Sequence, residues 1–300
     1  MPMHEDELVI TDAVARALVD EQFPRWRGLP LAPYPSTGTV NRLYRLGSTL
    51  AVRFPLLGTE ARAARTELEA EAQAARELQG RTPFATPEPV ALGEPGQGFP
   101  MPWTVQSWVA GRSAFEEDPG ESVYFARDLA TFVSAVRALD ARGRVFDRAG
   151  RGGDLSRHDA WVATSTARGS HLFDAAHVTR LWSSLRILPR PHRDAMTHGD
   201  LTPGNVLVAD QRLAGVIDVG GLGPTDPALD LVSAWHLLET KPRQTFRELL
   251  GSDDEEWRRG MAWALEQALG AAWYYETSNP SMSMMGQRTI GRILTADAGA

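Results

Sequence analysis

The chain has 300 residues, of which 43% are hydrophobic and 23% charged, and a formal net charge of −7. That length and balance suit a globular chain of one large domain or two lobes with a sizeable core, and the acidic balance without a basic block argues against a nucleic-acid partner. Cysteine is absent, which excludes disulfides, a thiolate metal site and a cysteine nucleophile. The start, with His4, Glu5, Asp6 and Glu7, lacks the basic and apolar regions of a signal peptide. No apolar run approaches bilayer-spanning length, so the expectation is a cytoplasmic chain with no membrane partner and no obligate protein partner.

In chain order, residues 5–29 show helical spacing through Leu8, Val9, Val14, Leu18 and Phe23, with Thr11 or Asp12 as cap. Pro30, Pro33 and Pro35 open an extended region. Tyr44 to Leu46, a Gly47-Ser48 turn and Leu50 to Phe54 predict a β-hairpin. Residues 60–79, rich in Ala, Glu and Arg without Gly or Pro, predict a helix. Past Pro83, Pro87 and Pro89 come a short strand over Val90 to Leu92, a turn from Gly93 to Gly98 and a strand over Trp103 to Val109. Beyond Gly111 the pattern is mostly helical, at 120–143, 175–187, 228–239, 243–250 and 253–277, with a hairpin at 206–217 as the exception. The end is expected to fray from about Ala296. This order predicts an α+β fold: a small antiparallel-sheet lobe over 1–105, a hinge over 106–111 and a larger, mostly helical lobe over 112–300.

The chemistry concentrates in Thr197-His198-Gly199-Asp200-Leu201-Thr202-Pro203-Gly204-Asn205, followed by Asp218. An Asp and an Asn five positions apart, a short hairpin and a second Asp form the set that kinase-type phosphoryl transfer requires. One carboxylate, Asp200, orients a hydroxyl. An amide and a carboxylate, Asn205 and Asp218, hold magnesium on nucleotide phosphates. The spacing matches the H-R-D-x-x-x-x-N and D-F-G signatures, with Gly199 in place of the Arg and Val219 in place of the Phe. The tight hairpin between Asn205 and Asp218 is expected to bring its two ends together. The competing reading makes these residues turn and cap formers.

A nucleotide clamp is expected in the earlier lobe. Ser36, Thr37 and Gly38 sit where backbone N–H groups would cover phosphates, although one glycine does not make a glycine-rich loop. Lys241 is the sole lysine and lies beyond the metal loop, in an expected helix-to-helix connection. Arg53 therefore stands in for the usual strand lysine; its fork holds two phosphate oxygens and does not lose its charge. Glu71 is the expected partner of Arg53, with Glu67 and Glu69 as rivals. Gln106, Ser107 and Val109 lie where a nucleobase would meet the connecting strand.

The chain resembles the aminoglycoside phosphotransferase family of antibiotic and small-molecule kinases. The residues that carry the resemblance are Asn41 to Leu46, Leu50 to Pro55, Pro87 to Gly93, His198 to Val208, Val216 to Gly220 and Thr225 to Leu231. It implies a protein-kinase-like two-lobe fold with a helical tail, Mg2+ as cofactor and ATP or GTP as co-substrate. It also implies a catalytic Asp200, metal ligands Asn205 and Asp218, and Arg53 on the phosphates. His198 then supports the loop, and Asp226, a cap before Pro227, and Asp230 brace it. The first acceptor expected is an aminoglycoside-like antibiotic, with a macrolide, choline, an amino sugar or another metabolite hydroxyl as alternatives. Asp159, Trp161, Glu266, Trp273 and Glu276 mix acids with aromatics as a sugar or amine site would, and as an ordinary core would too. A catalytically silent nucleotide-binding module is the reading from a different class.

Overall fold

The computed structural model describes residues 7–35 and 40–299. His4 to Asp6, and the expected phosphate-covering residues Ser36, Thr37 and Gly38, lie outside the described residues. The chain divides into two compact units.

The first unit comprises residues 1–80, 85–110 and 216–220. Helix α1 (Asp12–Gln22) is capped by Thr11, whose hydroxyl accepts the Val14 N–H. Strands β1 (Leu31–Tyr34), β2 (Asn41–Leu46) and β3 (Leu50–Pro55) follow. Then come α2 (Ala61–Leu78), β4 (Pro89–Gly93) and β5 (Trp103–Ser107). The strands form one antiparallel sheet in the order β1-β2-β3-β5-β4. Alternation sorts its side chains: Tyr44, Leu46, Val52, Phe54, Trp103 and Val105 pack into a core with Ala15, Leu18 and Val19 of α1. The opposite face carries Tyr34, Leu43, Arg45, Arg53, Thr104 and Gln106, as the register Tyr34↔Leu43↔Arg53↔Thr104 requires. The Pro-rich segment expected to be merely extended therefore supplies an edge strand, a place where proline's missing N–H is tolerated.

The second unit comprises residues 81–84, 111–215 and 221–300. Its elements are β6 (Arg112–Ser113), α3 (Val123–Arg137), α4 (Asp159–Arg168), α5 (Ala175–Leu185) and β7 (Ala195–Thr197). The hairpin β8 (Val206–Ala209) and β9 (Arg212–Val216) comes next, then β10 (Gly223–Thr225). Helices α6 (Val232–Leu237), α7 (Thr240–Leu250), α8 (Asp254–Tyr274) and α9 (Pro280–Ala298) complete it. Asp210 and Gln211 both have positive φ, 54° and 59°, the pair that a two-residue hairpin turn matched to strand twist requires. Helix α8 is buried along most of its length and packs against α4, α6 and α9. Lys241 lies in the first turn of α7 rather than in a connection, because the Glu239 carbonyl accepts the Arg243 N–H at 2.9 Å and Pro242 is tolerated in a first turn. The stretch expected as one helix over 228–239 is a 3-10 turn, Pro227–Leu231, leading into α6. Among the described residues no helix is long and apolar enough to cross a membrane.

Candidate active site

The candidate site residues fall into two sets, one in each unit. In the first, Arg53 stands on β3 with Thr104 directly across and Gln106 diagonally across on β5. Arg53 is only 9% exposed, so its charge requires partners. Nη1 donates to Glu71 of α2 and to Gln106 Oε1 at 3.2 Å, and Nη2 lies 3.6 Å from Asp218 Oδ1. Burial works against the guanidinium charge, and the Glu71 and Asp218 carboxylates outweigh it, so the pKa lies above the ordinary arginine value. Glu69 pairs instead with Arg65, and Glu67 is exposed. Asp218 has φ of 60°, a left-handed conformation that Asp tolerates and that marks a residue set by its surroundings. Ser107 spends its N–H on the Glu88 carbonyl and its hydroxyl on the Glu88 N–H, while Val109 is buried. A cavity opens against α2, β4 and β5, with Arg53, Glu71, Thr104 and Gln106 among its lining.

The second set follows β7. Asp230, fully buried, accepts the His198 N–H on Oδ2 and the Gly199 N–H on Oδ1, both at 2.9 Å. Desolvation raises its pKa, and His198 and the two N–H donors oppose that rise. His198 Nδ1 accepts the Asp200 N–H at 3.3 Å, so the imidazole shapes the backbone that carries Asp200. Asn205 Nδ2 donates to Asp200 Oδ2 at 2.7 Å and to the Asp200 carbonyl at 3.0 Å. The carboxylate is thereby oriented by its own loop, and the remaining polar atom of the Asn205 side chain is its acceptor oxygen. Gly199 has φ of +84°, which explains the departure from the kinase signature: an Arg there would be strained by about 1–2 kcal/mol. Asp226 caps the turn at Ala228 N–H, 3.0 Å away, and forms a buried ion pair with Arg259 Nε at 2.6 Å. No pattern of spacing pointed to that pair, because Arg259 comes from the far helix α8.

The five residues offered for the acceptor are spread over α4, α8 and the segment after α8. Asp159 accepts Arg186 Nε at 2.8 Å and Trp182 Nε1 at 2.9 Å; Arg186 holds its carboxyl below the usual range. Glu266 is buried and accepts Arg151 Nε at 2.9 Å and pairs with His158 Nδ1 at 3.0 Å. Glu276 pairs with His171 at 3.1 Å on the surface. Trp161 and Trp273 come together, with ring centroids 6.4 Å apart. The Trp161 indole lies so close to Gly270 that a Cβ there would sit 2.4 Å from it. The guanidinium of Arg168 stands 4.8 Å from the Trp273 ring centroid. Tyr34 and Trp108, which pack edge to face at 4.8 Å, are an aromatic pair that sequence spacing did not single out.

The family described as phosphotransferase enzyme family matches residues 34–263. An aminoglycoside 3'-phosphotransferase of Escherichia coli is 26% identical over 147 residues, 45% of this chain and 52% of that protein. One from Salmonella typhimurium is 26% identical over 151 residues, again 45% and 52%. The chain spans about half the length of these curated relatives. Among solved structures, the GDP complex of wild-type aminoglycoside 2'-phosphotransferase-IIIa aligns with a TM-score of 0.69 and 17% identity, covering 96% of this chain and 100% of that one. A macrolide 2'-phosphotransferase of Brachybacterium faecium aligns at 0.60 and 19%, covering 91% and 97%. At those identities the likeness is one of fold, and it bears out the expected kinase-like α+β architecture.

Proposed function

Because the chain belongs to the phosphotransferase enzyme family, we propose that it is a small-molecule O-phosphotransferase using ATP or GTP. The observation that carries this reading is the pair of hydrogen bonds from Asn205 to Asp200, at 2.7 and 3.0 Å, in a loop braced by buried Asp230. A carboxylate held in this way accepts the acceptor's hydroxyl proton as a new oxygen–phosphorus bond forms and the bond to the leaving nucleoside diphosphate breaks. Arg53, paired with Glu71, binds nucleotide phosphate oxygens. Tyr34 and Trp108 offer an apolar surface to the base.

Asn205 through its amide oxygen and Asp218 through its carboxylate would hold Mg2+. Among the described residues no group of three or more acidic, His or Cys side chains converges as a metal site. Two protein oxygens are the donor set that suits an ion which keeps waters and binds substrate phosphates. When bound, it would supply charge neutralisation on those phosphates.

The first acceptor we propose is an aminoglycoside-like antibiotic, following the named sequence relatives; a macrolide hydroxyl is second, following a structural neighbour. The site of action is the cytoplasm, where nucleoside triphosphate is available. The test is an acceptor screen with magnesium and either nucleotide, reading the gain of one phosphoryl group by mass. Nucleotide binding with no transfer to any alcohol in a broad panel would leave the silent module as the correct reading.

A further inference from the structure

We propose that Gln106 is a positioning residue for Arg53, aiming its guanidinium at the nucleotide phosphates without adding charge. The inference rests on the function proposed above for Arg53 and concerns what an arginine at this position needs. Strands β3 and β5 pair so that Thr104 faces Arg53 and Gln106 faces Ala51. Gln106 is thus one diagonal step from Arg53 on the same face, within reach of a long side chain. Thr104, the direct neighbour, does not hold it: its hydroxyl is buried without a hydrogen-bond partner. The acceptor is Gln106 Oε1, 3.2 Å from Nη1, the nitrogen that also donates to Glu71.

A lysine at position 53 would present a compact, rotating charge that one carboxylate can direct. A guanidinium is a planar fork whose orientation decides which edge meets a phosphate. Two acceptors on Nη1 determine that plane where one leaves it free to swing. The chemistry of the second acceptor matters equally. Glu71 and Asp218 already bring two carboxylates to one guanidinium. A third would leave the cluster more negative and repel the phosphates. A carboxamide oxygen orients the fork while leaving its charge for the ligand.

The experiment measures ADP and GDP affinity by calorimetry, together with the KM for nucleoside triphosphate, kcat, and thermal unfolding. Gln106→Leu removes a hydrogen bond to a charged donor, and nucleotide affinity should fall about tenfold, with KM rising more than kcat falls. Gln106→Glu keeps the acceptor and adds charge; it should unfold no earlier than the parent yet bind nucleotide several-fold more weakly. In an Arg53→Lys background the Gln106→Leu penalty should shrink to about twofold or less, because the ammonium does not depend on the same fork. Unchanged affinity in Gln106→Leu, parent-like affinity in Gln106→Glu, or an equal penalty in the Arg53→Lys background would overturn the assignment. If the parent protein binds neither nucleotide, it is the proposed function that fails.

Discussion

Replacing Asp230 by Asn exchanges one carboxylate oxygen for an NH2 group and should disable the loop that carries Asp200. Asp230 is fully buried and its two oxygens each accept one backbone N–H, from His198 and Gly199, at 2.9 Å. Asn offers one oxygen and one NH2 group, so one hydrogen bond to a charged acceptor is lost, about 1.5–3 kcal/mol. The NH2 then faces the other N–H donor, leaving a buried group unsatisfied at about 1–3 kcal/mol more. Against this, the variant no longer buries an ionised carboxyl, a cost visible in the raised pKa of Asp230. The net loss is about 3 kcal/mol, among the larger effects of a single substitution. Because the chain has two compact units, a single global unfolding energy is poorly defined. The sharper assay pairs hydrogen exchange at the His198 and Gly199 amides with kcat. Both amides should exchange about a hundredfold faster or more, and kcat should fall by at least tenfold while nucleotide affinity changes little. Parent-like exchange at both amides and an unchanged kcat would refute the view that Asp230 holds this loop.

Two other expectations follow from the same geometry. Gly199→Ala should cost about 1–2 kcal/mol through its φ of +84°, since the added Cβ would meet the Gly221 carbonyl oxygen only at 3.4 Å; circular dichroism melts and kcat check it, and a variant as stable as the parent would show that the left-handed backbone is not required. Stability should also depend on pH in two opposed ways. His236 is buried with its pKa lowered by desolvation to about 4. Its contribution is therefore complete above the ordinary histidine value of about 6.5 and is lost as pH falls toward 4. His158 has its pKa raised by its hydrogen bond to Glu266. Its contribution is complete below about 6.5 and is lost as pH rises through the raised value. Melting temperature across pH should fall on both sides, with His158→Gln flattening the alkaline side and His236→Gln the acid side. A His158→Gln profile identical to the parent above neutrality would remove the Glu266 pair from the account.

Local rules carried much of the fold. The hairpin β8–β9 was legible because two apolar runs flank a polar break, and α2 because eighteen residues without Gly or Pro favour a helix. Helix α4 was not legible. It follows a glycine-rich loop and buries only Val162, Ser165 and Thr166, so its apolar stripe is too thin for periodicity to register. Strands β7 and β10, three residues each, are shorter than any alternation that could identify them. Within the site, chemistry was legible wherever spacing along the chain fixes contact, as with Asp200 and Asn205. Across elements the pairing of Arg53 with Glu71 was also legible, because the kinase-type clamp requires a carboxylate on the following helix, whereas the contacts of Gln106 with Arg53 and of Arg259 with Asp226 were not. The glycine at position 199 looked like a defect in the signature and is instead what its backbone conformation demands.

The central claim is that Asp200, held by Asn205, serves the chemical step and not nucleotide binding. It is tested most directly by measuring, for Asp200→Asn, both the rate of phosphoryl transfer to the acceptor identified by the screen and the dissociation constant for magnesium–nucleotide. Transfer should fall by about a hundredfold or more, with nucleotide affinity within about twofold of the parent. Near-parental transfer would contradict the role of Asp200, and equal losses in both quantities would show that the loop binds nucleotide and does not orient the hydroxyl.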